Sequence, residues 1–173
     1  MKGLRILFKY FKIIGGKSYF HVSQDIGLLF EPGELAGYFN DLTRKTQVYG
    51  ILDQNGVSVN VLADGRKIYF ATCIVQKALG HRDRRMLGEG EFDKIEFLKL
   101  CKWLLSHQDE SGGWPVWSDL GLPVAFSYSA MTQGECISAF VRAWKITRNA
   151  DFKKGAESAL HFLCKTIEEG VQP

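Results

Sequence analysis

Long apolar runs, paired cysteines and proline are what this chain has least of. From Met1 to Ile14 the longest unbroken apolar run is three residues, Ile6 to Phe8, against roughly 20 needed to span a bilayer and at least about 7 in the apolar stretch of a secretory signal. That segment is too broken to cross a membrane. Cys73, Cys101, Cys136 and Cys164 stand far apart in apolar contexts, with no CxxC and no histidine at ligand spacing. Such spacing argues against a zinc site recruiting His81, His107 or His161. It favours reduced core thiols and a reducing compartment, the cytoplasm. Four prolines and 18 glycines beside 13% aromatic residues exclude collagen-like and low-complexity sequence. G-x-S-x-G, a Walker loop, G-x-G-x-x-G opening a helix and H-E-x-x-H are all missing, so no nucleophile elbow, phosphate loop, dinucleotide fingerprint or zincin signature is present. Asp109 and Glu110 are adjacent and point different ways, so they do not make a glycosidase pair.

What is present fits one domain, or a piece of a larger one, of 173 residues. The net charge of +3 comes from the first seventeen residues, where Lys2, Arg5, Lys9, Lys12 and Lys17 meet no acid; the remainder sets 17 cations against 19 acids and is net −2. Basic residues spread over a folded face, which a nucleic-acid-binding body needs, are not seen. On a helical wheel Lys2, Arg5, Lys9 and Lys12 share one face of residues 1–14, while Leu4, Leu7, Phe8, Phe11 and Ile14 fill the other. A basic amphipathic helix of this kind can lie on an anionic membrane surface as a peripheral contact, or it can cover apolar surface on the body or a partner. Gly15 and Gly16 end the segment, here taken as residues 1–18.

Residues 19–66 read as a short helix plus a β-hairpin region. Leu35, Tyr38, Phe39 and Leu42 recur at helical spacing over Glu34 to Arg44, and Asn55-Gly56 and Asp64-Gly65 flank the alternating Val57, Val59 and Val61, the pattern of tight hairpins. From Lys67 the period changes to 3.6. A first helix carries Ile68, Ala71, Val75, Ala78 and Leu79 on one stripe and ends before Gly88. A second starts near Asp93, as its cap, and buries Phe97, Leu98, Cys101, Leu104 and Leu105. A third runs from about Ala130 to Thr147 with Ile137, Phe140, Val141 and Trp144 on one side. A fourth runs from about Asp151 to Glu168 with Ala156, Leu160, Leu163 and Ile167 on one side. The expected fold is therefore mainly α, with residues 67–173 arranged as antiparallel helical hairpins.

More than twenty residues join the two hairpins, longer than structural linkers usually run. In them Gln108, Gly112 and Trp114 form Q-x-x-x-G-x-W, which resembles the repeat of α/α-toroid proteins such as terpenoid cyclases. That resemblance implies a partial α/α toroid and gives Trp114 two readings, stapling a hairpin or contacting a ligand. Such a partial toroid would leave apolar flanks exposed, from which self-association is expected.

The segment YSAMTQGECISAFVRAWKITRN, Tyr128 to Asn149, resembles the YSAM-x-QG-x-x-I-S-x-x-VRA signature of D-glucuronyl C5-epimerases. FEPGELAGYFNDLT (Phe30 to Thr43), GVSVNVLADGRKIY (Gly56 to Tyr69), I-x-Q-x-A-L-G (Ile74 to Gly80) and QDESGGWP (Gln108 to Pro115) follow in the order that family shows. Two departures stand out: Tyr69-Phe70-Ala71 replaces the family's Tyr-Asn-Pro, and the family domain continues past the position matching Pro173 with further active-site residues. The resemblance implies a toroid that acts on glucuronate-containing acidic polysaccharide, heparosan-like, by proton abstraction and return at C5, without metal or redox cofactor. The alternatives are a non-catalytic polysaccharide-binding or scaffold fragment and a lyase that expels the C4 substituent.

Epimerisation of a uronate requires the carboxylate to be neutralised as charge moves onto it, with a proton acceptor and a donor on opposite ring faces. The resemblance implies that Tyr128 is one of that acid/base pair, a role helped by a neighbouring cation lowering its pKa; the alternative is a buried tyrosine with its hydroxyl satisfied. Tyr69, Gln76, Trp114, Trp117, Gln133 and Glu135 are the substrate-binding candidates. Tyr69 and Gln76 qualify if the first long helix is an inner one. Gln133 and Glu135 either orient the phenol and bind sugar hydroxyls or form a solvated helix turn. Trp117 and Phe126 offer flat faces to sugar rings or seal the loop. Arg142 reads as an internal ion-pair residue. Arg82, Arg84 and Arg85 form a basic cluster that can attract a polyanion or simply end a helix in solvent.

Overall fold

The computed structural model describes residues 11, 25–47, 51–62, 64–88, 90–115 and 128–165. The protein is mainly α with a small antiparallel sheet. Strands β1 (Ile51–Leu52), β2 (Ser58–Val61) and β3 (Lys67–Ile68) lie in the order β1-β2-β3. Ile51 pairs with Val59, and Asn60 with Ile68. Both expected hairpins form, with Gly56 and Gly65 at φ +74° and +87°, the conformation that made glycine informative there.

Four helices follow among the described residues: α1 (Ala71–Met86), α2 (Glu91–Ser106), α3 (Ala130–Thr147) and α4 (Ala150–Leu163). Short connections turn α1 back into α2, and α3 back into α4, as two antiparallel pairs. Thr72 meets Thr132 and Gln76 meets Glu135, so α1 and α3 run side by side in the same direction. The N-termini of α1 and α3 and the C-termini of α2 and α4 therefore share one end of the bundle. Ile74, Val75, Leu79, Phe97, Leu100, Cys101, Leu104, Phe140 and Phe152 form a continuous core at 0–1% exposure.

Four local expectations are corrected. Over Glu34 to Arg44 there is no helix: the chain turns irregularly, bridges Ile26 to Asn40 and makes only a 3-10 turn at Thr43–Thr46. The backbone donors that a helix would use are taken by distant acceptors, Gly37 N–H by Leu29 O at 2.9 Å and Tyr38 N–H by Asp83 Oδ1 at 3.1 Å. Second, Asp93 does not cap α2. The N-cap is Gly90, and Asp93 is 1% exposed within the first turn, its Oδ1 2.6 Å from His81 Nδ1 and 3.1 Å from Arg84 Nε. Third, α4 buries Phe152, Ala156, Ala159 and Phe162, while Leu160 and Leu163 are 51% and 38% exposed; the buried stripe is displaced by about one position. Fourth, Cys164 is exposed, although Cys101 and Cys136 are buried free thiols. No described helix is long and apolar enough to cross a membrane. Apart from Phe11, the basic amphipathic segment lies outside the described residues, as do Trp117, Phe126 and Ile167.

Candidate functional site

The end of the bundle where Ser106 closes α2 and Ala130 opens α3 carries the densest polar geometry. Residues 108–114 make a turn organised by two side chains. Asp109 Oδ1 accepts from Ser111 N–H (2.9 Å), Ser111 Oγ (2.6 Å) and Gly113 N–H (3.0 Å). Gln108 Nε2 donates to Gly112 O at 2.8 Å and reaches across to Gly155 O of α4 at 2.9 Å. Gly112 has φ +92°, and a β-carbon there would lie 2.5 Å from Ser158 O, so only glycine lets the turn touch α4.

Trp114 is 2% exposed and donates its indole N–H to Leu104 O at 2.8 Å, satisfying a carbonyl in the last turn of α2. Its backbone is held by Gln133, whose Oε1 accepts from Trp114 N–H and whose Nε2 donates to Trp114 O, both at 3.2 Å. In these contacts Gln108, Trp114 and Gln133 staple the two hairpins together.

Tyr128 bridges to Pro115 just before α3. Its hydroxyl donates to Asp109 Oδ2 at 2.7 Å, and its ring lies 4.7 Å from that of Phe162. The phenol is part-buried. Its pKa is raised, first by desolvation and then by the Asp109 carboxylate, so its close electrostatic partner is an anion where a cation had been expected. Burial works against the charge of Asp109, but the donors from Ser111, Tyr128 and Gly113 prevail and hold its carboxyl below the usual range. The pair is thus a protonated phenol on an ionised carboxylate. Lys165 Nζ lies 5.6 Å from the centre of the Phe162 ring, the ring that Tyr128 packs against.

Two other groups lie at or below this end. Tyr69, 37% exposed, donates its hydroxyl to Asp53 Oδ2 at 3.0 Å and tilts against Trp103 with ring centres 5.2 Å apart; His107 stacks on Trp103 at 3.7 Å. Between α1 and α3, Thr72 Oγ1 and Thr132 Oγ1 are 2.6 Å apart, and one turn deeper Gln76 Nε2 donates to Glu135 Oε1 at 3.1 Å. Glu135 is 3% exposed, and its Oε2 has no partner among the described residues. Burial pushes its pKa up to about 7, against the pull of Gln76 and of Lys45.

The structure thus brings Gln76 to Glu135 and Gln133 to Trp114, and sets Tyr69 in a separate aromatic group. Arg142 binds backbone carbonyls, Ala36 O at 3.3 Å and Gly37 O at 2.9 Å, tying α3 to the 25–47 segment. Asp109 and Lys165 were not candidates from sequence. A carboxylate that organises its own turn resembles any other Asx turn, and only the Tyr128 contact, 19 positions away, gives it a further part.

Residues 108–172 match the family described as D-glucuronyl C5-epimerase C-terminus. The matched stretch, 65 of the 173 residues, is similar to that family. The match covers the Asp109 turn, Tyr128, α3 and α4, the parts from which the site is built. No solved structure matches the chain.

Proposed function

We propose that the chain is a uronyl C5-epimerase-like protein of partial α/α-toroid form that acts on glucuronyl units of an acidic, heparosan-like polysaccharide. The observation that carries this reading is the Tyr128–Asp109 hydrogen bond, inside the family-matched stretch, at the end of the bundle where α2 closes and α3 opens. In C5 epimerisation a base on one ring face takes the proton from the carbon α to the carboxylate, the C–H electron pair passes into the carboxylate as an enolate, and an acid on the opposite face returns a proton to the carbon. A phenol kept neutral by burial and a neighbouring carboxylate suits the returning step. Tyr128 would turn its O–H from Asp109 to the carbon and be reprotonated from solvent. Lys165 would offset the negative charge developing on the substrate carboxylate. Tyr69 with Trp103, and Trp114, Trp117, Gln76, Gln133 and Glu135, would shape or line the polymer groove, the buried ones by holding its walls.

A second reading is favoured by one observation. Tyr128 has a carboxylate neighbour and a raised pKa, which disfavours it as a base, so a polysaccharide-binding fragment of the same fold would fit the same contacts. Incubation with de-N-acetylated heparosan in D2O separates the two. The enzyme reading expects deuterium at C5, lost by at least about a hundredfold in Tyr128→Phe; polymer binding with no label in the unsubstituted protein would leave the binding reading. An unsaturated product absorbing in the ultraviolet would indicate elimination instead.

A further inference from the structure

The opposite end of the bundle holds a cavity of about 320 Å3 lined by Arg82, Arg85, Lys94, Met86, Phe97 and Ile146. These come from the last turns of α1, the first turns of α2 and the end of α3. The cavity is therefore separated from Tyr128 by nearly the length of α3, about 25 Å at 1.5 Å per residue. Three cations face one apolar floor, and their counter-charges are unevenly supplied. Arg85 Nη2 and Lys94 Nζ share a single carboxylate, Glu91, at 3.4 and 2.8 Å, and that side chain is 58% exposed, which makes both weak rim pairs. Arg82 is half-buried, and its Nε is buried without a partner among the described residues. Asp83, next to it in sequence, attracts it through space, but both Asp83 oxygens accept from Tyr38 N–H at 3.1 and 3.2 Å and neither takes the Arg82 Nε hydrogen. Arg84, the third arginine of the cluster, turns away to Asp93.

We propose that this cavity binds a single oxyanion group, a carboxylate, sulfate ester or phosphate, with the body that carries it resting on Met86, Phe97 and Ile146. A guanidinium kept partly out of water with an unused donor is costly unless an anion completes it, and its planar fork matches an oxyanion in geometry as well as charge. Arg85 and Lys94 add charge at the rim, while Glu91 is the internal competitor. Three cations in one hollow suit one anionic group, not the extended footprint of a nucleic acid. The proposal does not depend on the C5 chemistry.

The test is equilibrium dialysis of the full chain with radiolabelled inorganic sulfate at fixed ionic strength, with a glucuronyl octasaccharide as competitor. Saturable binding is expected, weakened about tenfold or more in Arg82→Gln, tightened several-fold in Glu91→Gln, and unchanged in Lys153→Gln, which alters the same charge on α4. Competition by the octasaccharide would identify a glycan group as the ligand; sulfate binding without competition would identify a small free anion. Octasaccharide binding that is lost in Arg82→Gln, without sulfate binding, would also support a glycan ligand. The proposal is overturned if neither probe binds saturably, or if Arg82→Gln and Lys153→Gln behave alike. Should Arg82→Gln fail to fold, Glu91→Gln decides: affinity unchanged or reduced in that exposed substitution overturns it.

Discussion

Asp109 and Glu135 are carboxylates of the same bundle half with opposite fates. Asp109 is only part-buried and takes four hydrogen bonds from Ser111, Gly113 and Tyr128. Glu135 is almost fully buried and takes one, from Gln76. Burial alone would raise both; the number of donors decides which one ionises. The turn around Asp109 is a saturated structure that holds a phenol in place, whereas the α1–α3 seam contains a carboxylate with an unused oxygen. The two regions should therefore respond differently to substitution and to pH.

The largest effect is expected where the saturated turn meets α4. In Gly112→Ala the new β-carbon meets Ser158 O at 2.5 Å and the backbone keeps φ +92°, so a loss of about 3 kcal/mol or more is expected. Gly134→Ala, in α3 with nothing within 4 Å of its β-carbon, should instead gain up to about 1 kcal/mol from helix propensity. Chemical denaturation of the two variants checks the contrast, and equal midpoints would show that the 108–114 turn does not anchor the hairpins.

Next comes the pH response of the seam. Glu135 has a folded pKa of about 7 against 4.5 for an ordinary glutamate carboxyl. Below the lower value both states hold the proton. Between the two, the folded protein retains a proton that the unfolded chain has released, so stability falls as pH rises, and above about 7 the full cost remains, up to about 3 kcal/mol. Glu135→Gln removes that cost, so its advantage over the unsubstituted protein should grow from near zero at pH 4.5 to its maximum at pH 8 in urea unfolding. Asp83, raised to about 6 by burial despite Tyr38 and Arg142, titrates in the same window. The difference between the two proteins isolates Glu135, and curves that stay parallel from pH 4.5 to 8 would mean it is ionised in the folded state.

The helices were legible in the sequence because each buries a stripe of apolar side chains, and the bounds expected for α3 are the observed ones, although its buried apolar face is Cys136, Ala139, Phe140 and Ala143 and the expected Ile137, Val141 and Trp144 are only partly buried. The hairpins were legible because Asn-Gly and Asp-Gly report backbone conformation locally. The 25–47 segment was misread because its helical spacing of Leu35, Tyr38 and Leu42 is overruled by acceptors far along the chain, Asp83 above all. Asp93 has the makings of a cap, but His81 and Arg84, one helix away, draw it into the interior. In the candidate site, Tyr128 and Trp114 were visible as a motif. The pairings Tyr128–Asp109, Gln76–Glu135 and Gln133–Trp114 were not, because each joins side chains 19 or 59 positions apart and exists only once the hairpins pack.

The smallest effect on stability is expected at the phenol, and its small size is informative. Tyr128→Phe removes one hydrogen bond from a carboxylate that keeps three others, and its ring contact with Phe162 survives, so the loss should be about 1 kcal/mol. Because the phenol stabilises the ionised form of Asp109, which contributes stability above its unfolded pKa and loses it as pH falls through the depressed folded value, the loss should shrink toward acid pH. Denaturant titrations of the variant and the unsubstituted protein at pH 3 and pH 7 measure this. A loss several times larger and independent of pH would identify Tyr128 as a packing residue of the turn, and its removal could then no longer separate chemistry from folding in the deuterium-exchange experiment.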